Sequence, residues 1–176
     1  MSAYGSILQP LRPADALSST IWEIPAKPAH TRLTMPFAHA SIHHLTLATV
    51  SALPGLLEFT HAAFAEIVAE GMTYPQEAAT TAEYTRETFE AYYWAADVFV
   101  ALGRVSAGGA CITELEGGGE AGGAGPEVVE RERAGRSWEE CVIGFYYVKP
   151  NYPGRSSHVS HVHRLRQASP IQCICS

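Results

Sequence analysis

The feature that most constrains this chain of 176 residues is a strand that runs directly into a proline-containing loop. Residues 141–148 read CVIGFYYV, an apolar and aromatic run that is typical of a buried β-strand. Lys149 and Pro150 end the predicted strand, because proline lacks the N–H group that a sheet ladder needs. The sequence YPG at 152–154 then predicts a turn. The fold must therefore supply partners for this strand and hold a defined loop at its end.

The segments before this strand predict two helices between two further strands. In chain order the predicted elements are a strand at 42–50, helices at 51–70 and 81–96, and strands at 97–102 and 141–148. Ser51 is the expected N-cap of the first helix and Gly71 its stop, while Thr80 and Glu83 match a capping box for the second. The order β-α-α-β-β predicts an α/β (α+β) domain whose strands can pair antiparallel.

Three other segments carry weaker patterns. Residues 1–40 hold five of the 11 prolines, so we expect a disordered arm there. Residues 106–137 are rich in glycine, alanine and glutamate, which predicts a flexible surface insertion. The character of the sequence changes after Val159, and residues 160–176 predict an irregular tail. The folded domain is therefore expected to span 42–159.

Composition and charge exclude several classes of function. A formal net charge of -6 with only 12 Lys and Arg residues argues against binding a nucleic-acid backbone. No run approaches the ~18 to 20 consecutive apolar residues of a membrane span, so no membrane partner is expected. The 4 cysteines form no disulfide framework. We expect a cytoplasmic protein, with a nuclear or mitochondrial location and a homo-oligomeric state left open.

Two patterns in the predicted elements are more typical of structural side chains than of a functional site. An apolar stripe at helical spacing consists of Phe89, Tyr92, Tyr93 and Ala96. Such a stripe is more often core than a platform for a cofactor. His43 and His44 are adjacent on a predicted strand, and adjacent strand residues face opposite sides. The two histidines therefore cannot serve one site together, and we expect each to be packed or solvated.

The tail contains the side chains of a metal site in an unusual spacing. Its candidate ligands are His158, His161, His163, Cys173 and Cys175. The cysteines form C-x-C and not the C-x-x-C of a zinc knuckle, and no second paired element lies nearby. We expect no metal, and a metal-binding tail stays the third of the hypotheses for this chain.

Two motifs and the element order together carry a resemblance. The motifs are TYPQE at 73–77 and GFYYVKPNYPGRSSH at 144–158. With the β-α-α-β-β order they resemble the GNAT acetyltransferase superfamily, in the fungal branch that includes azetidine-2-carboxylate acetyltransferases. The resemblance covers about residues 42–159, the N-terminal half of such a domain. It implies a partial GNAT fold and transfer of an acetyl group from acetyl-CoA to the amine of a small molecule.

The resemblance also names candidate site residues. Asn151 matches the Asn of the longer motif. The resemblance implies that this Asn is a catalytic residue and binds the substrate. Tyr74, Gln76 and Glu77 are implied to lie on the acceptor side, because the first two helices and their loop shape that side in the family. A side-chain amide is not a base at neutral pH, so Asn151 would orient the acceptor and would not deprotonate it.

The chain departs from the family after this motif. Family members continue into a strand and a glycine-rich loop that binds the CoA pyrophosphate, but residues 155–176 contain no glycine. We therefore expect no cofactor-binding residues, a truncated and inactive chain that lacks the acetyl-CoA-binding half, and an unpaired edge on the 141–148 strand. The codons for Val159 and Ser160 can have the sequence of a fungal intron donor site, so translation of a retained intron would explain the tail. The alternative is a non-catalytic fragment that binds a protein partner through the exposed edge.

Overall fold

The computed structural model describes residues 17–24, 37–71, 81–95, 97–104, 119–120, 123–150 and 160–166. The strands are β1 (Thr20–Glu23), β2 (His39–Leu45), β3 (Asp97–Arg104), β4 (Gly119–Glu120), β5 (Val142–Pro150) and β6 (Ser160–Arg166). The α-helices are α1 (Leu47–Val50), α2 (Leu56–Glu70), α3 (Arg86–Phe89), α4 (Pro126–Arg133) and α5 (Trp138–Cys141). A 3₁₀ turn at Thr81–Glu83 and a π-helical turn at Glu90–Trp94 flank α3.

The six strands form one sheet in the order β4-β1-β2-β3-β5-β6, and every neighbouring pair is antiparallel. The predicted strands at 97–102 and 141–148 correspond to β3 and β5, which pair with Phe99 opposite Tyr146. A mixed α/β fold with antiparallel strands is therefore confirmed. The expected unpaired edge on β5 is wrong, because β6 pairs with β5 from Gly144 to Pro150.

The two faces of the sheet differ because strand side chains alternate in direction. On one face, strand residues join α2, α3, the π-helical turn and α5 in a single buried core; these strand residues are Leu45, Val98, Val100, Leu102, Val142, Phe145 and Tyr147. We call this the helix face. The alternating positions on the same strands form the opposite face, which carries His44, Asp97, Phe99 and Tyr146.

Local capping moves the boundaries of the first predicted elements. The strand expected at 42–50 ends at Leu45, because Thr46 caps α1 by accepting the Thr49 N–H at 3.3 Å. The helix expected from Ser51 begins later, at Leu56, after Gly55 in the left-handed conformation. Its predicted stop is confirmed, since Gly71 adopts a φ of 68° at the C-cap.

The second predicted helix is not one regular helix. The 3₁₀ turn comes first, and Thr85 then caps α3 by accepting the Thr88 N–H at 3.3 Å. The wider π-helical turn completes the segment before β3 starts at Asp97. The predicted capping box depends on Thr80, which lies outside the described residues. The buried stripe is confirmed, because the side chains of Phe89 and Tyr93 are fully buried.

Three segments expected to be irregular contain regular structure. The predicted arm 1–40 includes β1, which pairs with β2 and β4. These neighbouring strands provide the hydrogen-bond partners of β1, so the strand forms through pairing and not through its own propensity. The predicted insertion 106–137 includes α4, where Pro126 opens the helix and two buried valines, Val128 and Val129, anchor it. The predicted tail 160–176 includes β6, for which β5 supplies a continuous antiparallel partner.

Candidate functional site

The four site residues taken from the resemblance lie outside the described residues: Tyr74, Gln76, Glu77 and Asn151. The strand β5 reaches Pro150, directly before Asn151, at the end of the sheet where β2 finishes and β3 starts. There Leu45 pairs with Val98 and Asp97 pairs with Val148. We call this region the Asp97 end of the sheet.

On the opposite face of the Asp97 end, a histidine and a carboxylate form a close pair. The His44 Nε2 atom lies 2.9 Å from Asp97 Oδ1, and the side chains are 8% and 27% exposed respectively. The backbone N–H of Leu17 donates to His44 Nδ1 at 3.1 Å. Because Nδ1 accepts that hydrogen bond, the ring proton lies on Nε2 and is donated to Asp97. The imidazole therefore orients a carboxylate that stays in contact with solvent.

Two aromatic rings extend this pair across the sheet. The Phe99 ring lies 5.1 Å from the His44 ring, and it stacks on Tyr146 with a centroid distance of 5.0 Å and an interplanar angle of 10°. Both aromatic side chains are half-buried. Burial raises the pKa of the Tyr146 phenol, so this group is neutral at physiological pH.

On the helix face of the same end, two tyrosine hydroxyls meet. Tyr92 Oη lies 3.0 Å from Tyr147 Oη, which joins the π-helical turn to β5. The Tyr93 ring packs edge-on against Tyr147 with a centroid distance of 4.7 Å. Burial and the neighbouring Tyr92 raise the pKa of the Tyr84 phenol. π-Helical turns are frequent at functional sites, so this hydroxyl pair is a second polar element of the Asp97 end.

The neighbouring His43 lies on the helix face and is closed off from solvent. Its Nδ1 lies 2.8 Å from Ser19 Oγ and its Nε2 lies 2.9 Å from Ser41 Oγ. Burial, with a smaller contribution from the positive charge of Arg131, lowers the pKa of His43 from 6.5 to about 4. Ser19 and Ser41 are 1% and 0% exposed, so neither hydroxyl can reach a substrate. The prediction that His43 and His44 occupy opposite, packed environments is confirmed.

The described residues offer neither a metal cluster nor a cradle for the CoA pyrophosphate. Among them, no group of three or more His, Cys, Asp and Glu side chains could hold a metal ion. The described helices of eight or more residues are α2 and α4. Each carries a glutamate in its first turn, Glu58 in α2 and Glu127 in α4, and a carboxylate there would repel a phosphate. Pro126 also removes one of the N–H groups that an anion would need in α4. These described helix starts do not fit the cofactor that the resemblance implies.

Comparison with known proteins gives no family assignment. No protein-family model matches this chain, and a search of curated proteins also finds no match. A membrane-crossing helix, which must be both long and apolar, does not occur among the described residues. The fold and the side chains at the Asp97 end therefore carry the functional argument.

Sequence reasoning missed the pairing of His44 with Asp97. Their separation along the chain is 53 residues, and they meet because β2 and β3 are antiparallel neighbours with His44 opposite Phe99. The signal available in the sequence was the alternation that places His44 and Asp97 on one face once this register is known. The sequence pattern gives the alternation within each strand, but it does not tell which residues of β2 and β3 lie opposite each other.

Proposed function

We propose that this chain forms the acceptor-binding part of a GNAT-type N-acetyltransferase, which transfers an acetyl group from acetyl-CoA to the amine of a small molecule. The proposal rests on one observation above all. The strand β5 ends at Pro150 and leads directly into Asn151, at the end of the sheet where β2 finishes and β3 starts. The motif that carries the resemblance therefore follows directly after a strand whose helix face packs against the helical segments.

The order of elements supports a partial GNAT fold. The chain passes from β2 through the helical segments to β3 and then, after an insertion with α4 and α5, to β5. This order agrees with the β-α-α-β-β pattern of the resemblance, and the strands pair antiparallel as that pattern requires. Within the described ranges, the helical segments share one buried core with the helix face of the sheet, and the acceptor-side motif follows β5 directly.

Amide formation by direct transfer needs an oriented, neutral amine beside the thioester. In the proposal, Asn151 orients the acceptor by hydrogen bonding, and Tyr74, Gln76 and Glu77 complete the acceptor side. Together these groups would position the acceptor, and positioning is a major source of rate enhancement in such reactions.

The proposal is confined to the acceptor side. When bound, acetyl-CoA supplies the activated acetyl thioester. The described starts of α2 and α4 do not fit its pyrophosphate, so no step is assigned to groups around the cofactor. The alternative of a fragment that binds a partner through the edge of β5 is not favoured, because β6 pairs along that edge.

The test is binding of small amines to the purified chain. A panel of small primary and secondary amines is titrated into the chain, and the heat of binding is measured for each amine by calorimetry. We expect a subset of the amines to bind and this binding to be lost in Asn151→Ala. Glu58→Gln, which changes an exposed carboxylate in the first turn of α2, serves as the remote control. Absence of binding with the whole panel would contradict the proposed acceptor side.

A further inference from the structure

We propose that His43 and His44 form an acid-sensitive latch, which holds the segment 17–23 with β1 against β2 and favours its release when the two rings are protonated. Each ring contacts this segment through a different group. The Ser19 hydroxyl lies 2.8 Å from His43 Nδ1, and the Leu17 N–H donates to His44 Nδ1 at 3.1 Å. Release of β1 leaves that edge of β2 without its strand partner. The latch does not depend on the proposed transferase function.

The first step of the argument is the way in which β1 is attached to the sheet. The strand has four residues, none of them fully buried, and its Trp22 side chain is 47% exposed. Within the described part of the chain, the buried core of the helix face takes no residue from β1. Backbone pairing with β2 and with the two residues of β4 holds the strand. A short strand with few buried contacts opens at a lower free energy than the core strands, so each histidine contact contributes to its attachment.

The second step is the contact of His44 with the backbone. The Nδ1 atom accepts the Leu17 N–H, so it carries no proton in this arrangement. Protonation places an N–H group on Nδ1, which then faces the Leu17 N–H and can no longer accept from it. Asp97 stays the partner of Nε2 in both protonation states, at 2.9 Å. The loss on protonation therefore falls on the contact with the segment 17–23.

The third step is the burial of His43 beneath the same segment. The ring lies between the hydroxyls of Ser19 and Ser41, and all three side chains are buried. Burial lowers the pKa of His43 from 6.5 to about 4, because a charged ring is not hydrated there. Ser41 belongs to β2, inside the sheet, whereas Ser19 belongs to the segment that opens. Opening hydrates the ring, so the released state binds the proton more readily and is favoured as the pH falls from 6.5 towards 4.

The charged groups that face the two rings come from α4 and β3. Arg131 of α4 places a positive charge near His43, which makes the protonated ring less favourable in the closed state. The residue opposite His43 on β3 is Val100, which carries no charge, and the two serine hydroxyls are neutral. His44 faces the carboxylate of Asp97. Around His43, burial and the nearby cation therefore both oppose the charge in the closed state.

The test is amide hydrogen exchange of the purified chain at pH 7 and pH 5. Protection is calculated against the exchange rate of an unstructured chain at the same pH. With a pKa of 6.5 in the released state and about 4 in the closed state, His43 alone should make release roughly 20-fold more frequent at pH 5 than at pH 7. We expect protection of the hydrogen-bonded β1 amides to fall at least about tenfold, while the β3 amides keep theirs.

Two variants assign the effect to the latch. The double variant His43→Gln/His44→Gln keeps hydrogen-bonding side chains without a titrating ring, so protection of β1 should become nearly independent of pH. The matched control is His61→Gln on α2, whose ring contacts the Tyr84 carbonyl oxygen at 2.7 Å, and it should keep the wild-type pH dependence.

The wild-type comparison is decisive even where a variant does not fold. Unchanged β1 protection between the two pH values would overturn the proposal, and so would equal losses in β1 and β3, which would indicate global unfolding. Wild-type pH dependence in the double variant would also overturn it, because the titrating group would then lie elsewhere.

Discussion

His43 and His44 are neighbours in sequence but belong to two different hydrogen-bond systems. His43 lies on the helix face, between two serine hydroxyls that are themselves buried. His44 lies on the opposite face, between the backbone N–H of Leu17 and a carboxylate that is 27% exposed. The first system is closed on both sides and can contribute only to stability. The second ends at Asp97, whose side chain stays in contact with solvent.

The largest expected effect tests the difference in packing between the two faces. Phe64 of α2 is fully buried on the helix face, where its ring contacts Tyr84, Phe89 and Tyr93. Phe64→Ala should lower the free energy of unfolding by about 3–5 kcal/mol, because it removes a large side chain and leaves a cavity. The measurement is urea denaturation.

The control for this prediction is Phe99→Ala on the opposite face. Phe99 is only half-buried, so its loss should cost clearly less than the loss of Phe64. Equal losses for the two variants would mean that the opposite face is packed as tightly as the helix face, and the contrast between the faces would no longer hold.

The pH dependence of stability tests the closed system around His43. In the folded chain burial lowers the pKa of His43 from 6.5 to about 4, so the unfolded chain binds the proton more readily. The stabilisation is therefore fully present above pH 6.5 and is lost as the pH falls towards 4. The loss should reach about 3 kcal/mol across this window.

The measurement is the free energy of unfolding at pH 7 and at pH 4 in the wild type and in His43→Gln. The glutamine variant lacks the titrating ring, so it should lose less stability on acidification than the wild type. Equal pH dependence in the two proteins would show that His43 does not titrate in this range, and the description of the closed system would be wrong.

The parts of the fold that the sequence predicted are those determined by local pattern. The strand at 141–148 has an apolar run and a proline end, and Gly71 supplies the left-handed residue that stops α2. The elements that were missed are short and depend on distant partners. The four residues of β1 need β2 and β4, and β6 needs β5 along its whole length. Tertiary pairing outweighed local composition in these segments.

The candidate site also has one part that the sequence predicted and one part that it did not. Its acceptor-side motif could be recognised in the sequence because Asn151 and its neighbours are contiguous. The pairing of His44 with Asp97 could not be recognised in the sequence. It depends on the antiparallel register of β2 and β3, and helical segments lie between these two strands in the chain. Alternation predicted that the two histidines diverge, but it did not predict what each one meets.

The smallest expected effect uses a second pair of sequence neighbours that face opposite sides, Tyr146 and Tyr147. Tyr147 is fully buried on the helix face, and its hydroxyl bonds to Tyr92 Oη at 3.0 Å. Tyr147→Phe should therefore lower the free energy of unfolding by about 0.5–1.5 kcal/mol, the usual contribution of such a hydrogen bond. Tyr146→Phe keeps the ring that stacks on Phe99 and should change stability by less than ~0.5 kcal/mol.

Urea denaturation of both variants and of Tyr92→Phe measures this contrast. If the hydroxyl pair is one interaction, Tyr92→Phe and Tyr147→Phe should have similar effects, and the double variant should cost less than the two single losses added together. Additive losses would show that the two hydroxyls do not interact.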